Sequence, residues 1–186
     1  MDDLPYILAQ SIHSISQRAL FDHWCRASAQ KPFPSIDEFN PGKRTHDPNQ
    51  LVVWRVEDGR VRRFRALYQG AHILDAFGSD WAGKTMDEAV PEFARCFAVE
   101  TANECVRSGC AIYSIFRTKD ANGHAIDCER LLLPLGRASA EQIVASLQLV
   151  SVRGEFRRNL VLNEFETQIE VVLAGKIKKT LPAIEP

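Results

Sequence analysis

The stretch Cys128-Glu-Arg-Leu-Leu-Leu-Pro-Leu-Gly136 places four leucines within five positions, a density of apolar surface that is stable only out of water. A continuous apolar run this short, closed by a proline and a glycine, predicts a strand covered on both faces rather than a helix, which needs more length. Pro134 cannot donate to a ladder, so it is expected at a bulge or at the end of regular pairing, just before the Gly136 turn. The stretch reads as the floor on which a pocket rests, not as a site, and Glu129 with Arg130 reads as a solvated cross-strand pair at the strand entry.

Outward from this strand, residues 110–119 alternate Ile112, Ser114 and Phe116 against Ala111, Tyr113 and Ile115 and predict a strand. Asn122-Gly123 then marks a hairpin into the leucine strand. Residues 136–141 read as a polar turn and residues 143–152 as a further strand, so the three form an antiparallel meander. Upstream, residues 51–57 and 61–69 read as two strands joined at Asp58-Gly59, a dipeptide suited to a type I′ turn. In the first, Val52, Trp54 and Val56 lie on one side and Leu51 and Val53 on the other, so both faces of the sheet need covers.

Residues 73–86, punctuated by Gly78 and Gly83, predict two short helices. Residues 91–108 predict a long one, opened by Pro91 and Glu92 and stopped by Gly109. Its small-residue stripe, Ala94, Ala98, Ala102 and Cys105, suits close approach to a sheet. Residues 6–29 read as one amphipathic helix with Leu8, Ile12, Ile15 and Ala19 at helical spacing, available to cover the second sheet face or to meet a second copy. Residues 31–48, with four prolines, read as a linker rather than an element. The tail carries Leu160, Leu162, Phe165, Ile169, Val172 and Leu173 at helix-like spacing; residues 169–173 also fit a strand, and the helical reading is preferred. Three segments follow: residues 1–48 as N-terminal helix and linker, 49–153 as the globular domain, and 154–186 as a helical C-terminal extension.

With 45% apolar residues, 25% charged residues and a formal net charge of -1, the chain has no global electrostatic pull toward nucleic acid or anionic membranes. Met1-Asp2-Asp3 does not open a signal peptide, and five cysteines without a C-x-x-C pair fit reduced thiols in the cytoplasm. The five histidines show no metal-ligand spacing, and Ser, His and Asp are scattered with no nucleophile elbow. Arg60, Arg62, Arg63 and Arg65 form the one basic cluster, read as a solvated face rather than an anion site.

The order strand, strand, short helices, long helix, three strands resembles that of a PAS domain. Phe77-Gly-Ser-Asp-Trp-Ala-Gly-Lys-Thr-Met-Asp-Glu88, followed by Pro91, is similar to the family segment in which a glycine, a polar and a hydrophobic residue precede Gly-Lys. Tyr68-Gln69-Gly70 and Arg130-Leu-Leu-Leu-Pro-Leu135 resemble a compact proteobacterial PAS-like group, and the similarity covers residues 51–152. The resemblance implies an α+β, five-stranded antiparallel sheet with helices on one face and an N-terminal helix used for dimerisation.

It also implies a non-enzymatic sensory or protein-interaction module. A small apolar ligand would sit between sheet and helices, touched by His72, Trp81, Cys105 and Tyr113, and the signal would pass to a protein partner or through a homodimer. With residues 153–186 following the domain, no output domain is expected among them. The cofactor is left open: a haem-ligating histidine is a family precedent for His72, which reads instead as a surface or hydrogen-bonded residue. The lack of cysteine between Cys25 and Cys96 argues against a photochemical flavin adduct. The competing reading is a small α+β cone-type enzyme, which should hold a perturbed acid or histidine inside its pocket.

Overall fold

The computed structural model describes residues 3–28, 31–39, 47–120, 123–151 and 169–179. Besides 3-10 turns at Ala9–Ser11 and Pro48–Gln50, its elements are α1 (Ile15–Ser28), α2 (Ile36–Phe39), β1 (Leu51–Glu57), β2 (Arg63–Gln69), α3 (Ala71–Phe77), α4 (Met86–Ala89), α5 (Glu92–Ser108), β3 (Ala111–Lys119), β4 (Ala125–Gly136), β5 (Ala140–Ser151) and β6 (Glu170–Ile177). The strands form one antiparallel sheet in the order β2-β1-β5-β4-β3-β6.

The leucine strand is central, paired with β3 from Lys119↔Ala125 to Ile112↔Leu132 and with β5 from Ile126↔Ser151 to Gly136↔Ala140. Pro134 lies beyond the last residue paired with β3 and one position ahead of the bulge at Leu135/Gly136, where a missing donor costs least. Alternation sends Ile126, Cys128 and Leu132 to one core cluster and Leu131, Leu133 and Leu135 to another on the opposite face.

The first face is covered by α3, α4 and α5. Helix α5 presents Ala94, Ala98, Ala102 and Cys105, all buried, and ends at Gly109 with φ 66°, a left-handed cap at which a side chain is strained. The second face is covered by the N-terminal region through Ile12, Leu20, Phe21, Trp24 and Phe39. The sheet is therefore covered on both faces, as the apolar residues on both sides of β1 require.

Several expectations are corrected. The N-terminal helix begins at Ile15 rather than at residue 6, because Ser14 caps it: the Ser14 hydroxyl accepts from the Gln17 backbone N–H at 3.3 Å. Leu8 and Ile15 are consequently exposed, and the buried face is Gln17, Leu20, Phe21, Trp24, Cys25 and Ser28. The proposed linker contains α2 and buries Phe33 and Phe39; residues 40–46 lie outside the described residues. The β1–β2 connection is a loop over residues 58–62, closed by an Arg62 to Asp58 ion pair at 2.8 Å, and Gly59 does not take the positive φ of a type I′ turn. A bulge opposite Val53/Trp54 leaves Leu67 as the extra residue of β2, which breaks the alternation that Phe64 and Ala66 begin and leaves Tyr68 partly exposed. The Asn122-Gly123 turn is half described; Gly123 has φ 80°.

The expected C-terminal helix is, where described, a strand. Residues 170–177 form β6 against β3, and Leu160, Leu162 and Phe165 lie outside the described residues. Leu173 and Ile177 face one core cluster and Ala174 the other, a two-residue period that the helix-like spacing obscured. The outer edge of β6 is closed by the N-terminus: Ile7 N–H donates to the Lys176 carbonyl at 2.9 Å and Lys176 N–H to the Pro5 carbonyl at 2.8 Å. Gly175 permits that approach, since a Cβ there would stand 2.6 Å from the Ile7 side chain.

Burial on both faces makes a direct prediction. Leu131→Ala and Leu132→Ala should each lower stability by about 2–5 kcal/mol in chemical denaturation. A neutral Leu131→Ala would show that the N-terminal cover does not rest on the sheet.

Candidate functional site

The site is a small cavity between the sheet and α3–α5, of about 40 Å³, walled by Trp54 of β1, Phe77 of α3, Trp81, Met86 of α4, Phe116 of β3 and Leu132 of β4. The loop that carries Trp81 is sewn to β2. Trp81 N–H donates to Gln69 Oε1 at 2.7 Å, Gln69 Nε2 donates to the Ser79 carbonyl at 3.1 Å, and Trp81 Nε1 donates to Ser79 Oγ at 2.9 Å. With its polar edge satisfied, the indole lies near Phe77 and Trp54, at ring-centroid distances of 4.9 and 5.9 Å. Thr85 and Glu88 form a capping box that starts α4 and so sets Met86 at the cavity wall.

One charged side chain reaches this apolar space. Arg130 is 6% exposed and lines the cavity, although it was expected to be a solvated partner of Glu129. Consecutive strand residues face opposite sides, so Glu129 and Arg130 lie on different faces of β4, and both are buried. Arg130 Nη2 donates to Thr101 Oγ1, which itself donates to the Phe97 carbonyl at 2.6 Å, and the guanidinium carbon stands 5.1 Å from the Phe97 ring centroid. Its Nε is buried without a hydrogen-bond partner. No carboxylate pairs with it among the described residues; the ionisable groups acting on it are the thiols of Cys128 and Cys105.

Burial lowers the Arg130 pKa to about 10, the thiols acting in the opposite, smaller sense, and the group remains a cation at neutral pH. The same burial pushes the Cys128 thiol up to about 12 and the Cys105 thiol higher, so both stay protonated and pack as small apolar groups. The sign for Arg130 is unfavourable. A cation whose folded pKa lies below its unfolded one costs stability below that folded pKa, and the cost is relieved only as pH rises through about 10.

The four residues expected to touch a ligand are not brought together. Trp81 lines the cavity. Cys105 is fully buried in the same core cluster. His72 is outside it, with its side chain 48% exposed, Nδ1 3.6 Å from Asp47 Oδ2, at a surface depression with Gln50 and Gln148.

Tyr113 is on the opposite sheet face. Its hydroxyl donates to Glu129 Oε2 at 3.1 Å and accepts from His13 N–H at 3.2 Å; burial and then the neighbouring Glu129 carboxylate push its pKa up. Beside it Gln17, fully buried, donates from Nε2 to the carbonyls of Ser146 at 3.0 Å and Glu129 at 3.2 Å, fixing α1 to β4 and β5.

Of the cluster read as a basic face, Arg65 holds Glu57 through two hydrogen bonds of 2.6 and 3.0 Å and Arg62 pairs with Asp58, while Arg60 and Arg63 are exposed. Among the described residues no group of three His, Cys, Asp or Glu could hold a metal ion, and no helix is long and apolar enough to cross a membrane.

Sequence reasoning missed Arg130. The available signal was alternation: Arg130 shares a face with Cys128 and Leu132, the face that the small-residue stripe of α5 must cover. Because the cation is uncompensated, Arg130→Met should leave the protein as stable or more stable by about 1–4 kcal/mol in urea denaturation at neutral pH. Thr101 keeps its carbonyl acceptor in that variant. A large loss of stability would mean that the guanidinium is a structural tie.

A family model described as a PAS domain matches residues 12–148. No curated protein matches the chain. A solved structure of a variant of RsLOV is similar to it, with 13% sequence identity and a TM-score of 0.40, over 71% of this chain and 68% of that one. The family match covers well over half the sequence, starting just ahead of α1 and ending within β5. The chain belongs to the PAS domain family, whose members are typically sensory and regulatory modules.

Proposed function

We propose that this PAS domain is a cytoplasmic regulatory module that takes a small ligand in the cavity under α5 and signals by contact at its N-terminal region, to a second copy or to a protein partner. The observation that carries this reading is the two-sidedness of β4. Arg130 and Leu132 touch the cavity, while Glu129 and Leu131, which alternate with them, touch the N-terminal cover. A change in side-chain packing on one face of such a strand has a direct path to the other, because close-packed interiors transmit strain.

The cover also retains apolar surface. Leu8 is 71% exposed and Ile15 79% exposed, on the segment that leads into α1, while the rest of the helix spends its apolar side on the sheet. Homodimerisation through this segment would bury both. A cone-type enzyme would need an acid or histidine in the cavity. The ionisable group lining it among the described residues is Arg130, which suits holding an anion better than moving a proton near neutral pH.

Light scattering coupled to size exclusion tests the contact surface. Wild-type protein should run at twice its chain mass and Ile15→Glu at the monomer mass of 20.9 kDa, with unchanged circular dichroism. A monomeric wild type, or a dimer unaffected by Ile15→Glu, would overturn the dimer reading.

A further inference from the structure

We propose that the β1–β2 hairpin carries a docking surface for an extended, acidic segment of a partner protein, whose carboxylates at alternate positions pair with Arg55 and Arg63. The surface is separate from the N-terminal contact above, and the assignment stands or falls without that reading.

Three observations converge. The first is the balance of charge. Residues 55–65 hold five arginines against two acids, in a chain whose formal net charge is -1. Both acids are taken: Glu57 accepts two hydrogen bonds from Arg65, and Asp58 pairs with Arg62 at 2.8 Å. Glu88 lies near Arg63 and Arg65, but its carboxylate closes the capping box on Thr85. Arg55, Arg60 and Arg63 are exposed, and no carboxylate forms an ion pair with any of them among the described residues.

The second is register. Arg55 stands directly opposite Arg65 and Glu57 opposite Arg63, so the four side chains share one face of the hairpin. Like charges directly opposite one another across a strand pair are destabilising. A carboxylate laid beside Arg55 would offset that repulsion, and the hairpin has none left to supply it.

The third is spacing. Arg55 and Arg63 are diagonal neighbours across the pair, a relation that places residues roughly 7–8 Å apart. Alternate residues of an extended segment lie about 7 Å apart, so two carboxylates one residue removed from each other match the two arginines. Each carboxylate can engage a guanidinium fork through two parallel hydrogen bonds. Val61, 73% exposed between Arg60 and Arg62, offers the same segment an apolar contact. Other polyanions fit less well. The three uncompensated arginines fall short of the roughly 4–8 cations that hold a protein on an anionic membrane, and the net charge provides no wider field for nucleic acid.

The test is fluorescence anisotropy of labelled probes titrated with the full chain. The probes are the peptide Gly-Glu-Val-Glu-Val-Glu-Gly, its counterpart with glutamine at every glutamate position, and a short single-stranded oligothymidylate; binding to vesicles of mixed phosphatidylcholine and phosphatidylserine is followed by sedimentation. The acidic peptide should bind, and bind more weakly as sodium chloride is raised, while the glutamine peptide gives no comparable signal. Arg55→Gln with Arg63→Gln should weaken the acidic peptide roughly 5- to 30-fold. Removing like charges should leave this double variant melting no lower than the wild type. Arg117→Gln, on β3 and already paired with Asp127, should leave binding unchanged.

The comparison among probes stands even if the double variant does not fold. No binding of the acidic peptide, or equal binding of the glutamine peptide, would overturn the proposal. Full-strength binding by the folded double variant, or an equal loss in Arg117→Gln, would overturn the placement on the hairpin. Tighter binding of the oligothymidylate or of the vesicles would overturn the choice of a protein segment. None of these outcomes bears on the dimer, which light scattering decides.

Discussion

Strand β4 has no face turned to water, and most of the architecture answers that constraint. Leu131, Leu133 and Leu135 are buried on one side and Ile126, Cys128 and Leu132 on the other, so two separate covers must be built from one chain. Helix α5 supplies one, using alanines and a cysteine so that its backbone can come close. The N-terminal region supplies the second, and polar bonds fix its register. Trp24 Nε1 donates to the Pro134 carbonyl at 2.8 Å, and Gln17 bonds the carbonyls of Glu129 and Ser146. Buried donors and acceptors of this kind must be paired in the native state, which makes the docking of α1 specific as well as apolar. The sixth strand extends the sheet beyond β3, and residues 5–7 close its outer edge at Lys176.

Against this close packing, Arg130 is an anomaly of charge. Elsewhere the protein pairs its buried ions: Lys176, 3% exposed, has Asp3 at 2.7 Å and Glu104 at 3.3 Å. Arg130 has a hydroxyl, an aromatic face and two protonated thiols. A fold selected for stability alone would place a methionine or leucine there, since apolar replacement of buried charge is often neutral or stabilising.

How much of this was legible in the sequence follows from the kind of signal involved. Strands β1, β3, β4 and β5 and the helix α5 were readable because alternation, small-residue stripes and Gly109 act locally. The N-terminal helix was misplaced by more than two turns because Leu8, Ile12 and Ile15 mimic a helical stripe, while the residue that decides the start is Ser14, whose hydroxyl caps the chain nine residues into the expected helix. Strand β6 was hidden because its stability comes from pairing with β3 and from Pro5 and Ile7, contacts distant in sequence. Of the expected ligand residues, Trp81 reached the cavity wall because its loop is tied to Gln69. Tyr113 went to the far face because it is one residue out of phase with Phe116 and Ile112 along β3. Arg130 was passed over because a charge beside another charge suggests solvent, whereas on a strand neighbours part to opposite faces.

The most direct measurement of the uncompensated charge is nitrogen-15 NMR of the Arg130 Nε–H group in the wild-type chain, assigned by comparison with Arg130→Met. The structure predicts a single resonance that exchanges slowly with water, as befits a buried group. An Nε–H that exchanges as fast as those of surface arginines would contradict the account.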